Sequence, residues 1–251
     1  MDGGINLDNI SIVLHKTRYS ENIGAVARAI KNMGLSSLLI VEPENYDINK
    51  VLKLSTHAAL DIVEKIIIHE SLAEALSTFN YVVGTTNRLG GQRKGVNSPE
   101  KIAEKFVPIS QNNSIAILFG PEDRGLLNEE IRYCHALVTI PASDFSSLNL
   151  AQAVMIICYE IFLTGRKKTD KFIPRLASRH ELDGMYKQLQ EGLIKICYIK
   201  PENPEYWMNN LRHFFSALQL TAKEVGIIRG LCRQVNWYGK KRFQDGKKHE
   251  R

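Results

Sequence analysis

Six short apolar runs alternate with helical patterns over residues 1–165, and that alternation constrains the fold more than any other feature. The runs are residues 10–14 (ISIVL), 38–41 (LLIV), 66–68, 81–84, 115–119 (IAILF) and 136–140. Between them apolar residues recur at three- and four-residue spacing, as in Ile23, Val26, Ala27 and Ile30, which is the period of an amphipathic helix. Strands separated by helices pair in parallel, because a parallel partner is reached only through a crossover. A parallel sheet is covered on both faces, so its strands read as continuous apolar runs. The expected class is therefore α/β, a parallel sheet with helices on both faces, and its functional edge is where strands end and loops begin.

Local signals sharpen the boundaries. Ser20 is expected to cap a helix over residues 22–33 that Gly34 ends. Residues 48–64 read as a helix interrupted near Ser55, and Ser71 with Glu74 has capping-box spacing. Pro99 after Ser98 opens another helix, and Thr85 begins a long polar loop.

Beyond Gly165 the pattern changes. Residues 166–179 (RKKTDKFIPRLASR) are basic, contain Pro174 and read as a linker. Residues 180–238 hold three helical segments, with Leu211, Phe214, Phe215 and Leu218 expected as one core stripe. Residues 239–251 form a basic tail, equally suited to contact RNA phosphates or simply to be solvated. The net charge of +6 is compatible with a nucleic-acid partner without requiring one. No run of 18 apolar residues appears, so no membrane span is expected, and the N-terminus lacks the pattern of a secretory signal. The four cysteines make no C-x-x-C pair, and Cys158 and Cys197 lie in apolar patterns. A cytoplasmic protein with reduced, buried thiols is expected. The histidines lack metal-ligand spacing, so no metal is expected.

Four stretches carry groups suited to chemistry. In the first, Asn22 opens a helix and Arg28 emerges from small apolar neighbours, which fits either a solvated arginine or a clamp for an anion. The second, Thr85, Thr86, Asn87 and the cations after them, suits phosphate but lacks P-loop spacing. The third brackets Glu122, Asp123 and Arg124 between Gly120 and Gly125. Glu122 there is a turn carboxylate, an acceptor for a ligand, or a partner that orients Arg28. The fourth runs from Ile140 through Ser146, Ser147, Leu148 and Asn149 into an apolar helix. Ser147 fits a helix cap and a ligand site alike, with Asn149 in the first turn. No dinucleotide fingerprint and no G-x-S-x-G motif is present.

Three of these stretches, NIGAVARAIKNMGL (22–35), LFGPEDRGLLNEEI (118–131) and IPASDFSSLNLAQAVMIICYEI (140–161), appear in the order found in the SPOUT superfamily of methyltransferases, which the chain resembles. They match its N-I-G-x-x-x-R, F-G-x-E-x-x-G-L and S-L-N signatures, and the doubled serine is similar to the TrmJ branch. The resemblance implies a deep trefoil knot closing the catalytic domain and a small helical C-terminal extension. It implies a homodimer, and methyl transfer from S-adenosylmethionine to a ribose 2′-hydroxyl of tRNA, at cytidine or uridine 32 of the anticodon loop. Ribosomal RNA or another tRNA position is the alternative substrate, and a noncatalytic RNA-binding protein on the same scaffold is the alternative class. The family's cofactor positions correspond to Thr85, Thr86, Asn87, Gly120, Ile140, Ser146, Ser147 and Leu148. Its catalytic or RNA-contacting positions correspond to Asn22, Arg28, Glu122, Ser147 and Asn149. A guanidinium holds its proton near neutral pH, so Arg28 is read as a clamp on the adjacent phosphate that polarises the 2′-oxygen rather than as the base.

Overall fold

A computed structural model describes residues 4–87, 96–143, 148–166, 173–200, 202–216 and 218–249, with 242–249 by backbone only. The chain divides into two compact units, residues 1–174 and 175–251.

The first unit is built on seven parallel strands. They are β1 (Ile10–His15), β2 (Ser37–Val41), β3 (Ile67–His69), β4 (Tyr81–Thr85), β5 (Val96–Asn97), β6 (Ile115–Phe119) and β7 (Ala136–Val138). Their order in the sheet is β3-β2-β1-β6-β4-β7-β5. β1 and β6 lie at the centre, paired from Ile10 opposite Ile115 to Leu14 opposite Phe119. Every residue of both is buried, as a strand covered on two faces requires. On one face Val13, Val82, Ala116 and Leu118 pack with Leu72, Ala75 and Leu76 of α4 (Leu72–Leu76). A second set of helices packs together: α1 (Ser20–Asn32), α2 (Ile48–Ser55), α5 (Pro99–Ile109) and α7 (Leu150–Gly165). Two short helices, α3 (Leu60–Val63) and α6 (Asn128–Ile131), complete the unit.

Several expectations change in detail. β5 falls within the stretch read as polar loop after Thr85. Its two residues are too few to show a period, and it exists because Val96 and Asn97 pair with Leu137 and Val138. The last strand ends at Val138 rather than Ile140. Ser20 does not cap α1. Its hydroxyl is turned away, donating to the Asn45 carbonyl at 2.6 Å and accepting from the Asp47 N–H at 2.9 Å. Helix α7 begins at Leu150, and its cap is Asn149 rather than Ser147. The Asn149 side chain accepts from the N–H groups of Ala151 and Gln152, and the Gln152 side chain accepts in return from the Asn149 N–H. Cys158 is buried and its thiol is pushed up to about 12 by burial, but Cys197 is exposed.

The second unit holds α8 (Arg179–Lys195), α9 (Pro204–Ser216) and α10 (Ala222–His249). They close on a small core of Leu182, Met185, Tyr186, Ile199, Met208 and Val225. Ser178 and Glu181 cap α8 reciprocally, and Thr221 and Glu224 do the same for α10. Leu211 and Phe215 pack against this core, whereas Phe214 and Leu218 are exposed, so the expected stripe is only half buried. The tail expected from residue 239 is helical: α10 continues to His249. No helix among the described residues is long and apolar enough to cross a membrane.

α1 and α2 approach closely at Gly24, where an added Cβ would lie 2.1 Å from the Val51 carbonyl oxygen. Backbone cannot yield as a side-chain tip can. Gly24→Ala is expected to destabilise the first unit by about 1–3 kcal/mol, as overpacking does. A denaturant titration showing an unchanged midpoint would contradict this.

Candidate active site

Because the strands are parallel, β1, β4, β6 and β7 all present their carboxyl ends at one edge, and the loops after them meet there. The loop after β6 is held tight by two glycines. A Cβ on Gly120 would lie 2.5 Å from the carbonyl carbon of Gly125, and Gly125 itself has φ of +62°. The loop therefore doubles back on its own backbone, and the Gly125 N–H donates to the Pro121 carbonyl at 2.9 Å.

That fold-back throws Glu122 toward α1, where both carboxylate oxygens are engaged. Asn22 Nδ2 donates to Oε1 at 2.7 Å, and the Arg18 backbone N–H donates to Oε2 at 3.0 Å. Asn22 in turn accepts from Asn149 Nδ2 at 3.1 Å. A continuous chain of hydrogen bonds thus joins the α7 cap, the first turn of α1 and the β6 loop. Arg18 reinforces it from outside, pairing with Asp123 at 3.0 Å and Glu44 at 3.2 Å. Coulombic attraction from Glu44 and then Asp123 raises the pKa of this exposed guanidinium.

Beside the chain lies a cavity of about 210 Å³. Residues 119–126 form one wall, Thr85, Thr86 and Asn87 a second, and Val138, Ile140, Leu148, Leu150 and Ala153 a third. Thr86 is fixed by its N–H to the Val138 carbonyl at 2.9 Å, and Thr85 Oγ1 donates to the Leu118 carbonyl at 3.2 Å. Thr85, Thr86, Asn87, Gly120, Ile140 and Leu148, singled out from the sequence, therefore share one cavity. Ser146 and Ser147 lie outside the described residues.

Arg28 stands apart from this constellation. It is exposed on α1 and lines an open groove of about 610 Å³ with Ala25, Ala29, Gln152 and Met155. Glu122 does not orient it, since that carboxylate is committed to Asn22 and Arg18. Among the described residues no carboxylate pairs with the Arg28 guanidinium. Leu148 lines both groove and cavity, so the two spaces adjoin.

Nothing in the sequence announces a buried charge cluster behind the cavity. His15, at the end of β1, is buried with its Nδ1 3.3 Å from Glu130 Oε1. Glu130 is also buried, accepts from the Leu127 N–H and approaches Arg124 at 3.8 Å. Burial pushes the His15 imidazole below its ordinary value, against the opposing pull of the Glu130 carboxylate. His15 otherwise reads as a polar residue closing a strand, and only the tertiary fold brings Glu130 to it.

Comparison with known proteins finds relatives of both units. The SpoU rRNA Methylase family model matches residues 9–159. The model for the C-terminal domain of tRNA methyltransferase TrmJ matches residues 180–248. A tRNA (cytidine/uridine-2′-O-)-methyltransferase TrmJ of Pectobacterium atrosepticum is 34% identical over 235 residues, covering 91% of this chain and 97% of its own. A Pseudomonas aeruginosa relative, named tRNA (cytidine/uridine/adenosine-2′-O-)-methyltransferase TrmJ, is 34% identical over 243 residues, covering 91% and 94%. The crystal structure of TrmJ from Z. mobilis superposes with a TM-score of 0.77 at 28% identity, covering 90% of this chain and 98% of that one.

The dual use of Asn149 can be separated chemically. Asn149→Asp keeps the acceptor that caps α7 but loses the donor to Asn22, whereas Asn149→Ala loses both. Asn149→Ala is expected to cost about 0.5–2 kcal/mol of stability, and Asn149→Asp clearly less. Equal losses in thermal unfolding would show that the cap is not what stabilises the helix start. For His15, the unfolded chain takes up its proton near the ordinary value of about 6.5, above the folded value. This contribution is complete above that pH and is lost as pH falls toward the folded value. Calorimetry from pH 7.5 to 5.5 should show a steeper fall in Tm for the parent than for His15→Gln; parallel slopes would exclude His15 as the source.

Proposed function

The chain belongs to the SpoU methylase family, on its TrmJ branch, and from that we propose that it transfers a methyl group from S-adenosylmethionine to a tRNA ribose 2′-hydroxyl. The nucleotide we assign is cytidine or uridine 32 of the anticodon loop. One observation carries the reading: three stretches far apart in sequence converge on one cavity that adjoins the Asn149–Asn22–Glu122 chain. The cavity suits the donor chemically. Leu126, Val138 and Leu150 offer apolar walls for an adenine, and the close-packed backbone at Gly120 brings peptide groups to the lining.

When bound, S-adenosylmethionine supplies an electrophilic methyl with its own leaving group. The chain's task is then to bind, align and handle one proton. Thr85, Thr86, Asn87, Gly120, Ile140 and Leu148, with Ser146 and Ser147, hold the donor in this proposal. Asn22 and Glu122 lock the loop after β6 to α1, so the cavity wall keeps its place when substrate arrives. Arg28, from the adjoining groove, clamps the phosphate next to the target ribose and polarises the 2′-oxygen, and the proton leaves through that phosphate or a water. Asn149 caps α7 and ties it to Asn22, so in this proposal it holds the start of the helix in place beside the cavity, and Ser147 supplies a hydroxyl to the substrate.

The active form in this proposal is a cytoplasmic homodimer whose catalytic domain closes in a trefoil knot. The outer side of α7 supports the dimer: Tyr159 and Leu163 are 47% and 37% exposed on an otherwise apolar helix. Domain limits of 1–165 for the methyltransferase, 166–179 for the linker and 180 onward for the helical extension complete the proposal.

Mass spectrometry of RNA from cells lacking the protein tests the assignment. Loss of ribose methylation in the tRNA anticodon loop is expected. An unchanged tRNA pattern with a missing ribosomal RNA methyl group would move the substrate to ribosomal RNA, and no change in either would reject the activity. With the purified protein, Arg28→Lys keeps the charge but not the fork and should lower kcat by about tenfold or more. Full turnover by that variant would sink the clamp.

A further inference from the structure

The charge of this chain is unevenly placed. Helix α10 carries eight lysines and arginines against two acids, a net of +6, while the whole chain has 33 against 27, also +6. The remaining residues sum to neutral, a second basic stretch at 166–179 being offset by acids elsewhere, so α10 carries a charge equal to that of the whole chain. Along α10, positions 233, 237, 240 and 241 fall on one face, at i, i+4, i+7 and i+8. They are Arg233, Trp237, Lys240 and Lys241, all exposed. Trp237 is 53% exposed, and the Lys241 ammonium stands 5.0 Å from its ring centroid. A different side of the helix turns inward: Val225 is buried and Ile228 packs against the core of the second unit. Arg229 Nε donates to Gln188 of α8 at 3.2 Å, so Arg229 is already occupied.

We infer that this face of α10 is an RNA-docking surface, on which Arg233, Lys240 and Lys241 bind backbone phosphates while Trp237 takes an unpaired base. The inference rests on the tRNA reading above and deepens it by naming the surface. The chemistry is that of nucleic acid: spaced cations match a row of phosphates, and an exposed indole among them matches the flat face of a base. An anionic membrane is the competing polyanion. It is less well matched, because Trp237 stands among the cations and not with the exposed apolar residues Ile227, Leu231 and Val235 on another side of the helix.

The test uses the full-length protein, unmodified tRNA as probe and a salt series. Arg233→Gln, Lys240→Gln and Lys241→Gln, combined, should weaken tRNA binding about tenfold or more at 0.1 M salt. They should also reduce the slope of log K against log salt by about 2–3, near 0.9 for each duplex phosphate no longer neutralised. Trp237→Ala should weaken binding about fivefold or more with little change in slope. S-adenosylmethionine affinity, measured by calorimetry on the same preparations, should stay unchanged and verifies that the first unit is folded. Ile227→Ser with Leu231→Ser provides the control on the apolar side and should leave tRNA affinity within twofold. A triple variant with parental affinity and slope would overturn the inference. So would an equal loss of tRNA binding in the apolar-side control, or a loss confined to anionic phosphatidylglycerol vesicles. A parent protein that binds no tRNA at all would instead refute the substrate reading on which the inference stands.

Discussion

The hydrogen-bond chain from Asn149 through Asn22 to Glu122 and the Arg18 N–H is the constraint on which the candidate site depends. Each link joins a different stretch of sequence: the start of α7, the start of α1, the loop after β6 and the loop after β1. None of these segments is held by the sheet ladder at that point, because the strands have already ended. Without the chain, the loop after β6 and the start of α7 would lose their hydrogen-bonded tie to α1, and the walls they form around the 210 Å³ cavity would be less firmly placed. The bonds also leave few donors and acceptors idle. Glu122 uses both oxygens, and Asn149 uses its oxygen on the helix and its nitrogen on Asn22. An amide can do both at once, since it has an acceptor and donors on separate atoms of the same group.

This explains which parts of the site were legible in the sequence. The alternation of apolar runs and amphipathic helices placed the strands, and strand ends placed the loops. Parallel pairing brings the loops after β4, β6 and β7 to one edge, and Thr85, Gly120, Ile140 and Leu148, the positions the resemblance implied, line one cavity there. The resemblance then singled out which loop residues to watch. What was not legible were choices between local partners. Ser20 and Ser147 both have the composition of a helix cap. Yet Ser20 bonds to Asn45 and Asp47 across a loop, and the α7 cap is taken by Asn149. A cap preference worth about 1 kcal/mol is easily outweighed by a tertiary hydrogen bond of similar strength.

Two further features were invisible for a different reason. β5 is two residues long and has no pattern of its own; it exists because β7 offers it an edge. The His15–Glu130 contact joins residues on different elements, neither with a local motif to announce it. Both belong to the long-range part of the fold, where sequence periodicity carries no information. The C-terminal residues show the reverse case. Glycines at 239 and 246 and the lysines around them read as a tail, since glycine in a helix interior costs about 1 kcal/mol relative to alanine. The helix nevertheless continues to His249.

That continuation changes what the charge means. Cations on a disordered tail would present no fixed spacing and would attract any polyanion alike. Held on a helix, Arg233, Lys240 and Lys241 keep a spacing set by the rise of about 1.5 Å per residue, and Trp237 is held among them. A fixed spacing can distinguish one arrangement of phosphates from another, which a flexible tail cannot. α10 is one of two strongly basic stretches, residues 166–179 being the other, and it is the one whose cations are held on a helix. In the proposed function the contacts at the candidate site, Arg28 among them, act at short range on alignment and on the charge of the reacting oxygen. On the inference above, docking on α10 and alignment at the site rest on different residues, so variants of one can be compared with variants of the other.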